Sequence, residues 1–570
     1  MKICYAFFLI IISLILIESS CNENRQNNII SIDSAHIKNG ALLFSDKCSS
    51  CHNINQDGIG PSLGGIIQRV DNKWLHDFIK SPASMISKGD ERSKKLLDKY
   101  KILMPDPGID DERINEILSY LNTQRNKTGK IINDGNIINP IKDTIINSKL
   151  IATIELFCQV PASSDSGKKP LTRITQLTYA KGIKDPFIVD LRGKLYRLKN
   201  NVPTVYMNIA ELQKKFINVP GLATGFGSIA FHPDFKNNGL FYTTHTEFPK
   251  AGIADFSYPD SIRKTLQWVL TEWHCKDPDN QTFKGVGREI MRADFVSGIH
   301  GMQEICFNPL AKPGTKDYGL LYIGVGEGGA VENGFSSLAH NKGKVYGTLL
   351  RIDPAGRNSQ NGKYGIPKDN PFANNTNGTL QEIYAYGFRN PHRISWLQNG
   401  DLIVTNIGHS NIESLNLIVP GADYGWPIRE GNFLIKANGN LSKLYPLPKD
   451  DSTYHIIYPI AEYDHDEGKA ICGGYEYTGN KISALKGKFL FGDIPTGRLF
   501  YIETKDINKA KQAIIKEWKI SYNGTVNTLK NICGDSRVDL HFGKDQAGEM
   551  YILTKADGKI YRIIGAKIQH

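Results

Sequence analysis

A tight turn feeding a hydrophobic strand recurs along the chain beyond residue 150, and no other feature restricts the fold as strongly. It occurs at Asp190-Leu191-Arg192-Gly193-Lys194-Leu195-Tyr196, Asn237-Asn238-Gly239-Leu240-Phe241-Tyr242, Tyr318-Gly319-Leu320-Leu321-Tyr322-Ile323, Asn399-Gly400-Asp401-Leu402-Ile403-Val404, Gly487-Lys488-Phe489-Leu490-Phe491 and Ala547-Gly548-Glu549-Met550-Tyr551-Ile552. A strand that leaves such a turn belongs near the centre of a small antiparallel sheet. Radial repetition of these sheets at long, irregular spacing predicts a β-propeller of about six blades over residues 150–570, with a large β-sandwich or a β-helix as the alternatives. Composition agrees with a mainly β body: 54 glycines and 25 tyrosines in 570 residues suit many turns and strands. The formal charge of +11 is scattered as single Lys and Arg residues without a basic run. That distribution reads as a solvated surface and argues against nucleic acid as a partner.

The N-terminus points to export. Met1-Lys2, an apolar run from Ile3 to Ile17, and Glu18-Ser19-Ser20-Cys21 have the charged start, hydrophobic core and small-residue exit of a signal peptide over residues 1–20. The run is short for a membrane span. Cys21 after two small residues, with a polar tether over 21–35, suggests a lipoprotein-type site, lipidation of Cys21 and a lipid-anchored protein of the periplasm or cell envelope; the alternative is a plain secreted protein. In an oxidising compartment Cys158, Cys275, Cys306, Cys472 and Cys533 allow one or two disulfides, with no pairing readable from their spacing.

Residues 36–122 form a distinct helical domain. At its end Asp110-Asp111-Glu112 opens a segment whose Ile114, Ile117, Leu118 and Leu121 share one helical face. Residues 123–149, rich in Asn, Lys and isolated Ile, read as a linker. Within the helical domain, Cys48-Ser49-Ser50-Cys51-His52 is a C-x-x-C-H motif. Two thiols one helical turn apart can form thioethers with haem vinyl groups, and the adjacent histidine supplies an axial nitrogen to the iron. A thioredoxin-like redox pair needs a βαβ context that this segment lacks. The expected cofactor is one covalent haem c.

The same segment resembles the class I cytochrome c family over its whole length, with Gly40-Ala41-Leu42-Leu43-Phe44 before the motif, Gly60-Pro61-Ser62-Leu63 after it, and Leu103-Met104-Pro105 before the last helix. The resemblance implies Met104 as second axial ligand, whose thioether raises the iron potential; Met85 is the nearby rival.

Residues from about 220 to 565 resemble the soluble glucose and sorbosone dehydrogenase family, six-bladed propellers that use pyrroloquinoline quinone. The matching stretches are Phe226-Gly227-Ser228-Ile229-Ala230-Phe231-His232-Pro233-Asp234-Phe235, Leu349-Leu350-Arg351-Ile352-Asp353-Pro354, Tyr386-Gly387-Phe388-Arg389-Asn390-Pro391, Gly421-Ala422-Asp423-Tyr424-Gly425-Trp426-Pro427 and Gly473-Gly474-Tyr475-Glu476-Tyr477. The resemblance implies His300 as the base that removes a hydroxyl proton, Arg389 and Asn390 against the quinone, and calcium on backbone carbonyls around Gly408 and His409. It also implies cationic groups from the last two blades. There the chain departs from the pattern: Asp493-Ile494-Pro495-Thr496-Gly497-Arg498 has no lysine around Thr496, and Asp535-Ser536-Arg537-Val538-Asp539 carries one arginine where two are expected. Arg498 and Arg537 are the candidates to supply that charge. Two function classes follow. One is a dehydrogenase oxidising a sugar or polyol and passing electrons through the haem to a periplasmic or membrane acceptor. The other is a carbohydrate-binding or interaction propeller, as in relatives resembling the Hedgehog-interacting proteins, beside an electron-transfer cytochrome.

Overall fold

The computed structural model describes residues 30–48, 51–54, 57, 60–100, 103–124, 135–164, 169–217, 224–508 and 511–569. The leader and Cys21 lie outside them. The chain divides into two compact units, one helical and one built of β-strands.

The helical part contains α-helices Ser34–Leu43, Ile66–Arg69, Asn72–Lys80, Pro82–Ser87, Glu91–Tyr100 and Asp111–Thr123. The last begins where its sequence dictates: the Asp110 carboxylate accepts from the Arg113 N–H at 2.9 Å, a side-chain N-cap, and Asp111 and Glu112 occupy the positive first turn. Its Ile114, Ile117, Leu118 and Leu121 are buried, and Ile114 and Leu118 pack with Val70 and Leu75. Ser34–Leu43 crosses this helix at Gly40. A Cβ there would lie 1.9 Å from the Glu116 carbonyl oxygen, so the crossing requires glycine.

The β part is made mainly of four-stranded antiparallel runs, beside a small three-stranded sheet of Arg429–Glu430, Phe433–Ile435 and Leu444–Tyr445. Three stand as separate sheets: Phe226–Phe231, Leu240–Glu247, Leu266–Cys275 and Gly285–Phe295; Met302–Phe307, Leu321–Val325, Thr348–Ile352 and Ile383–Tyr386; and Pro391–Trp396, Leu402–Asn406, Ile412–Leu417 and Ala461–Asp464. The remaining runs are Ile174–Thr178 through Val202–Asn208, Ile471–Glu476 through Lys516–Tyr522, and Leu540–Lys544, Met550–Thr554 and Lys559–Ile568 completed by Ile146–Gln159. Parallel contacts join these runs into one larger sheet. The opening strand Ile146–Gln159 therefore pairs with the closing strand Lys559–Ile568. Every turn-strand unit identified in the sequence leads into an interior strand of its run.

The first strands of successive runs neighbour one another in order, and the first strand of the last run neighbours Ile174–Thr178. Polar side chains on these strands, alternating with apolar ones that enter the sheet cores, therefore face a common interior. Among the described residues Cys158, Cys275, Cys306, Cys472 and Cys533 form no disulfide. Four of them are buried, and burial pushes the Cys158, Cys472 and Cys533 thiols up to about 12, which leaves them unreactive.

Candidate functional site

In the C-x-x-C-H segment the Cys51 and His52 N–H groups donate to the Cys48 carbonyl at 3.1 and 2.9 Å, closing a tight turn. The His52 ring is aimed by its Nδ1, which lies 2.9 Å from the Pro61 carbonyl. A carbonyl only accepts, so Nδ1 carries the proton and Nε2 presents a lone pair, the tautomer a metal ligand needs. Burial lowers the His52 pKa and favours the neutral ring. Gly60 lets the chain pass the ring face: a Cβ would stand 2.5 Å from His52 Cε1. This donor set fits haem attachment. Met85 lies inside helix Pro82–Ser87, whereas Met104 lies between the last two helices.

The β part surrounds a cavity of about 130 Å³. Its lining includes Thr175, Gly227, Gln303, His392 and His541 from the first strands of the runs, together with His300, Arg389, Asn390, Gly408, His409 and Arg537 from the sequence prediction. The residues named from widely separated motifs thus meet in one place.

His300 sits in the left-handed region at φ +51°, a conformation that costs energy in a residue with a Cβ and is found where surrounding structure imposes it. Its carbonyl accepts from the Gly328 N–H at 3.1 Å. Gly326 permits this approach, because a Cβ there would lie 2.3 Å from the His300 oxygen. The ring places Nδ1 3.4 Å from Glu327 Oε1. Burial, with the positive charge of Arg389, holds the His300 pKa well below that of an ordinary histidine, while Glu332 opposes the shift. The imidazole is accordingly neutral at neutral pH and able to accept a proton.

Arg389 is buried. Its guanidinium donates to the Gly408 carbonyl and to the Glu332 carboxylate, lies 5.7 Å from the Trp426 ring centroid, and leaves Nε without a partner. Asn390 donates through Nδ2 to Gln303 Oε1 at 3.1 Å, and its Oδ1 is buried without a donor. Glu332 lies 3.4 Å from His409 Nε2 as well. His300, Glu327 and Glu332 place ligand-type atoms within 4.8 Å of one another. The Glu327 oxygens, however, already accept from the Gly329 and Val331 N–H groups, each at 2.9 Å.

The loop assigned to calcium is pinned through its N–H groups. The His409 N–H donates to Glu430 at 2.6 Å, and Glu430 also accepts from the Asn411 and Ile412 N–H groups at 3.2 Å. The Gly408 oxygen faces the Arg389 guanidinium. The Arg389 guanidinium thus lies between the Gly408 carbonyl and the Glu332 carboxylate.

Arg498 does not reach the cavity. Its guanidinium is clamped by Glu467 at 2.6 Å and Glu517 at 2.7 Å, two carboxylates distant in sequence that draw it to a separate cleft. The Thr496 hydroxyl is spent on Asp493 at 2.5 Å. Positive charge enters the cavity instead through Arg173, Arg393, Lys469 and Lys555, which the motif comparison did not single out. Lys469 Nζ donates to the His465 carbonyl at 2.6 Å. Arg393 lies 3.2 Å from Glu304 and donates to the Thr175 carbonyl at 2.9 Å. A usable signal existed for His541: it stands between Leu540 and Phe542, both buried in a sheet core, so period-two alternation turns it inward.

A family model described as Glucose / Sorbosone dehydrogenase matches residues 184–562, and one described as Cytochrome c matches residues 37–125. HIPL2 protein of Arabidopsis thaliana is 29% identical over 312 residues, which cover 47% of this chain and 42% of that protein. Quinoprotein glucose dehydrogenase B of Acinetobacter calcoaceticus is 28% identical over 385 residues, 59% of this chain and 68% of that protein. The chain spans about half the length of the plant relatives it matches. Among solved structures, the soluble aldose sugar dehydrogenase of Escherichia coli in its apo-form superposes with a TM-score of 0.51 at 17% identity, covering 73% of this chain and all of that one, a likeness of fold.

Proposed function

The chain belongs to the glucose/sorbosone dehydrogenase family, and on that premise we propose that it is an exported quinohaemoprotein-type dehydrogenase, which oxidises a sugar or related alcohol in the cavity and delivers the electrons to a fused haem c. The observation that carries this reading is a neutral, largely enclosed His300 beside Arg389 in a cavity walled with cations, on a chain that also bears a C-x-x-C-H segment. The strand runs are read as six blades, closed by the pairing of Ile146–Gln159 with Lys559–Ile568.

Pyrroloquinoline quinone would supply a hydride acceptor in the cavity, and haem c a one-electron carrier. The residues present fit a planar, tricarboxylated quinone: Arg389 Nε and Asn390 Oδ1 are buried and unpartnered, and Arg173, Arg393, Lys469, Arg537 and Lys555 bring positive charge. His300 is positioned by Glu327, and its Nε2 is the atom proposed to take the hydroxyl proton of the substrate as the carbon gives up hydride. Arg389 and Asn390 orient the acceptor, and Cys48, Cys51, His52 and Met104 hold the haem. Calcium would be held by backbone carbonyls of Gly408 and His409. Lipidation of Cys21 would keep the protein at the cell envelope, close to a membrane or periplasmic electron acceptor.

The diversion of Arg498 to Glu467 and Glu517 favours a second reading, a carbohydrate-binding or interaction propeller beside an electron-transfer cytochrome. Quinone binding separates the two. Titration of the haem-containing protein with pyrroloquinoline quinone, followed by quenching of tryptophan fluorescence, is expected to saturate. Arg389→Ala should weaken binding roughly 10- to 100-fold, the worth of a charge-assisted hydrogen bond of about 1.5–3 kcal/mol. No saturable quenching in the parent protein would support the second reading.

A further inference from the structure

We propose that Glu430 is a positioning residue for Arg389, acting through the Gly408–His409 peptide; this deepens the dehydrogenase reading and rests on it. Glu430 comes from outside the strand runs, on the small sheet Arg429–Glu430, Phe433–Ile435 and Leu444–Tyr445. Successive residues of a strand face opposite ways. Arg429 turns to Asp451, which lies 3.0 Å from its Nε, whereas Glu430 turns to the loop that precedes strand Ile412–Leu417. The turn that follows Glu430 is fixed in place. The Asn432 N–H donates to Glu462 at 3.0 Å, and Gly431, at φ +57°, passes the same carboxylate so closely that a Cβ would lie 2.3 Å from it.

The Glu430 carboxylate is buried, and among the described residues no cationic side chain pairs with it. N–H groups hold it instead: Oε1 accepts from His409 at 2.6 Å and from Asn411 and Ile412 at 3.2 Å, and Oε2 accepts from Asn411 Nδ2 at 2.7 Å. A buried carboxylate is costly without such donors, and a run of backbone N–H groups turned to one point is a seat for an anion. Here the anion belongs to the chain. The seat requires Gly408, because a Cβ there would lie 1.8 Å from the Ile412 oxygen and 2.8 Å from Glu430 Oε1.

In a trans peptide the N–H and the C=O point in opposite directions. The His409 N–H that donates to Glu430 belongs to the same peptide as the Gly408 carbonyl that accepts from Arg389, so carboxylate and guanidinium hold one peptide from its two sides. Glu430 thereby sets the direction of the Gly408 oxygen, and the two bonds polarise each other. On Arg389, Nη1 donates to Gly408 and Nη2 to Glu332. Two anchors fix the plane of the guanidinium, and with it the direction of Nε, which is buried and free to meet an acceptor. Without the Glu430 carboxylate the loop N–H groups lose their acceptor and the peptide is free to turn. Arg389 then keeps Glu332 alone and pivots about it.

The test combines a double-mutant cycle on quinone affinity with ligand-free crystal structures, all on the full haem-containing protein. Glu430→Leu is expected to weaken binding of pyrroloquinoline quinone about tenfold, and Glu430→Gln, which keeps an acceptor oxygen for the loop N–H groups, to recover most of that loss. In an Arg389→Ala background Glu430→Leu should cost less than about twofold, because the group it positions is gone. The ligand-free structure of Glu430→Leu should show the Gly408 carbonyl turned away from Arg389. If that variant does not fold, Glu430→Asp, one methylene short of the loop, is measured in its place with the same expectations. Losses that add across the cycle, no recovery in Glu430→Gln, or a Gly408–Arg389 bond retained in the variant overturns the proposal. A parent that binds no quinone, with that bond lost in the variant, upholds the positioning of Arg389 by Glu430 and removes the dehydrogenase reading instead. The haem spectrum with thermal unfolding verifies that each variant is folded.

Discussion

His300→Gln is expected to lower sugar-dependent reduction of the haem by about 10²- to 10⁴-fold, the usual contribution of a positioned general base, while the haem spectrum and quinone binding stay intact. Glutamine keeps a polar side chain of similar length but offers no basic nitrogen. The structure holds the imidazole by its backbone, through the left-handed φ of +51° and the Gly328 N–H, and by its Nδ1 contact with Glu327 at 3.4 Å. The pH dependence carries a separate signature. The base works only when deprotonated, and burial beside Arg389 holds its pKa well below 6.5. The acid limb of kcat/KM therefore lies below the pH at which an ordinary histidine titrates, and the profile is flat above it on that side. A limb at or above 6.5 that disappears in the variant would show that the ring is solvated and that the electrostatic account of this cavity is wrong.

Met104→His is expected to lower the midpoint potential of the haem on the order of 0.1 V or more, within the range of about 0.8 V that axial ligands span. Thioether sulfur favours the ferrous state, whereas a second imidazole favours the ferric state. The proposal that Met104 is the ligand rests on its place between helix Glu91–Tyr100 and helix Asp111–Thr123, with Met85 inside a helix of its own. Potentiometry with optical detection decides between them. Met85→Leu should leave the potential unchanged, and a fall in Met85→Leu with no change in Met104→His would reverse the assignment. A lower haem potential should also slow sugar-dependent reduction in steady state, without altering quinone affinity.

How far the sequence reaches is clearest where it succeeds through local chemistry. The helix at Asp111–Thr123, the turn-strand units and the C-x-x-C-H turn are each set by residues a few positions apart, by a cap, a 3.6-residue face or a glycine turn, and each takes its expected form. Arg389 and Asn390 were legible because they sit inside a motif stretch, and His300 through the family resemblance; the structure brings all three to one cavity. The positively charged wall was not legible. Arg173 stands near the beginning of the β part and His541 and Lys555 near its end, in a sheet that pairs residues some 400 positions apart, such as Leu150 with Ile568. The same non-locality explains Arg498. Its motif position suggested the cavity, but Glu467 and Glu517 arrive from neighbouring strands and loops and compete for the guanidinium at 2.6 and 2.7 Å. A backbone carbonyl has no sequence signature, so nothing announced that Arg389 would donate to the Gly408 oxygen.

The central claim is that oxidation in the cavity and reduction of the haem are one process, and the haem itself reports it. The decisive measurement is the growth of the reduced haem α-band in the oxidised, purified protein after adding pyrroloquinoline quinone with calcium and then an aldose. The account predicts reduction that requires quinone and sugar together and is lost in His300→Gln; saturable quinone binding with sugar present and a haem that stays oxidised would contradict it.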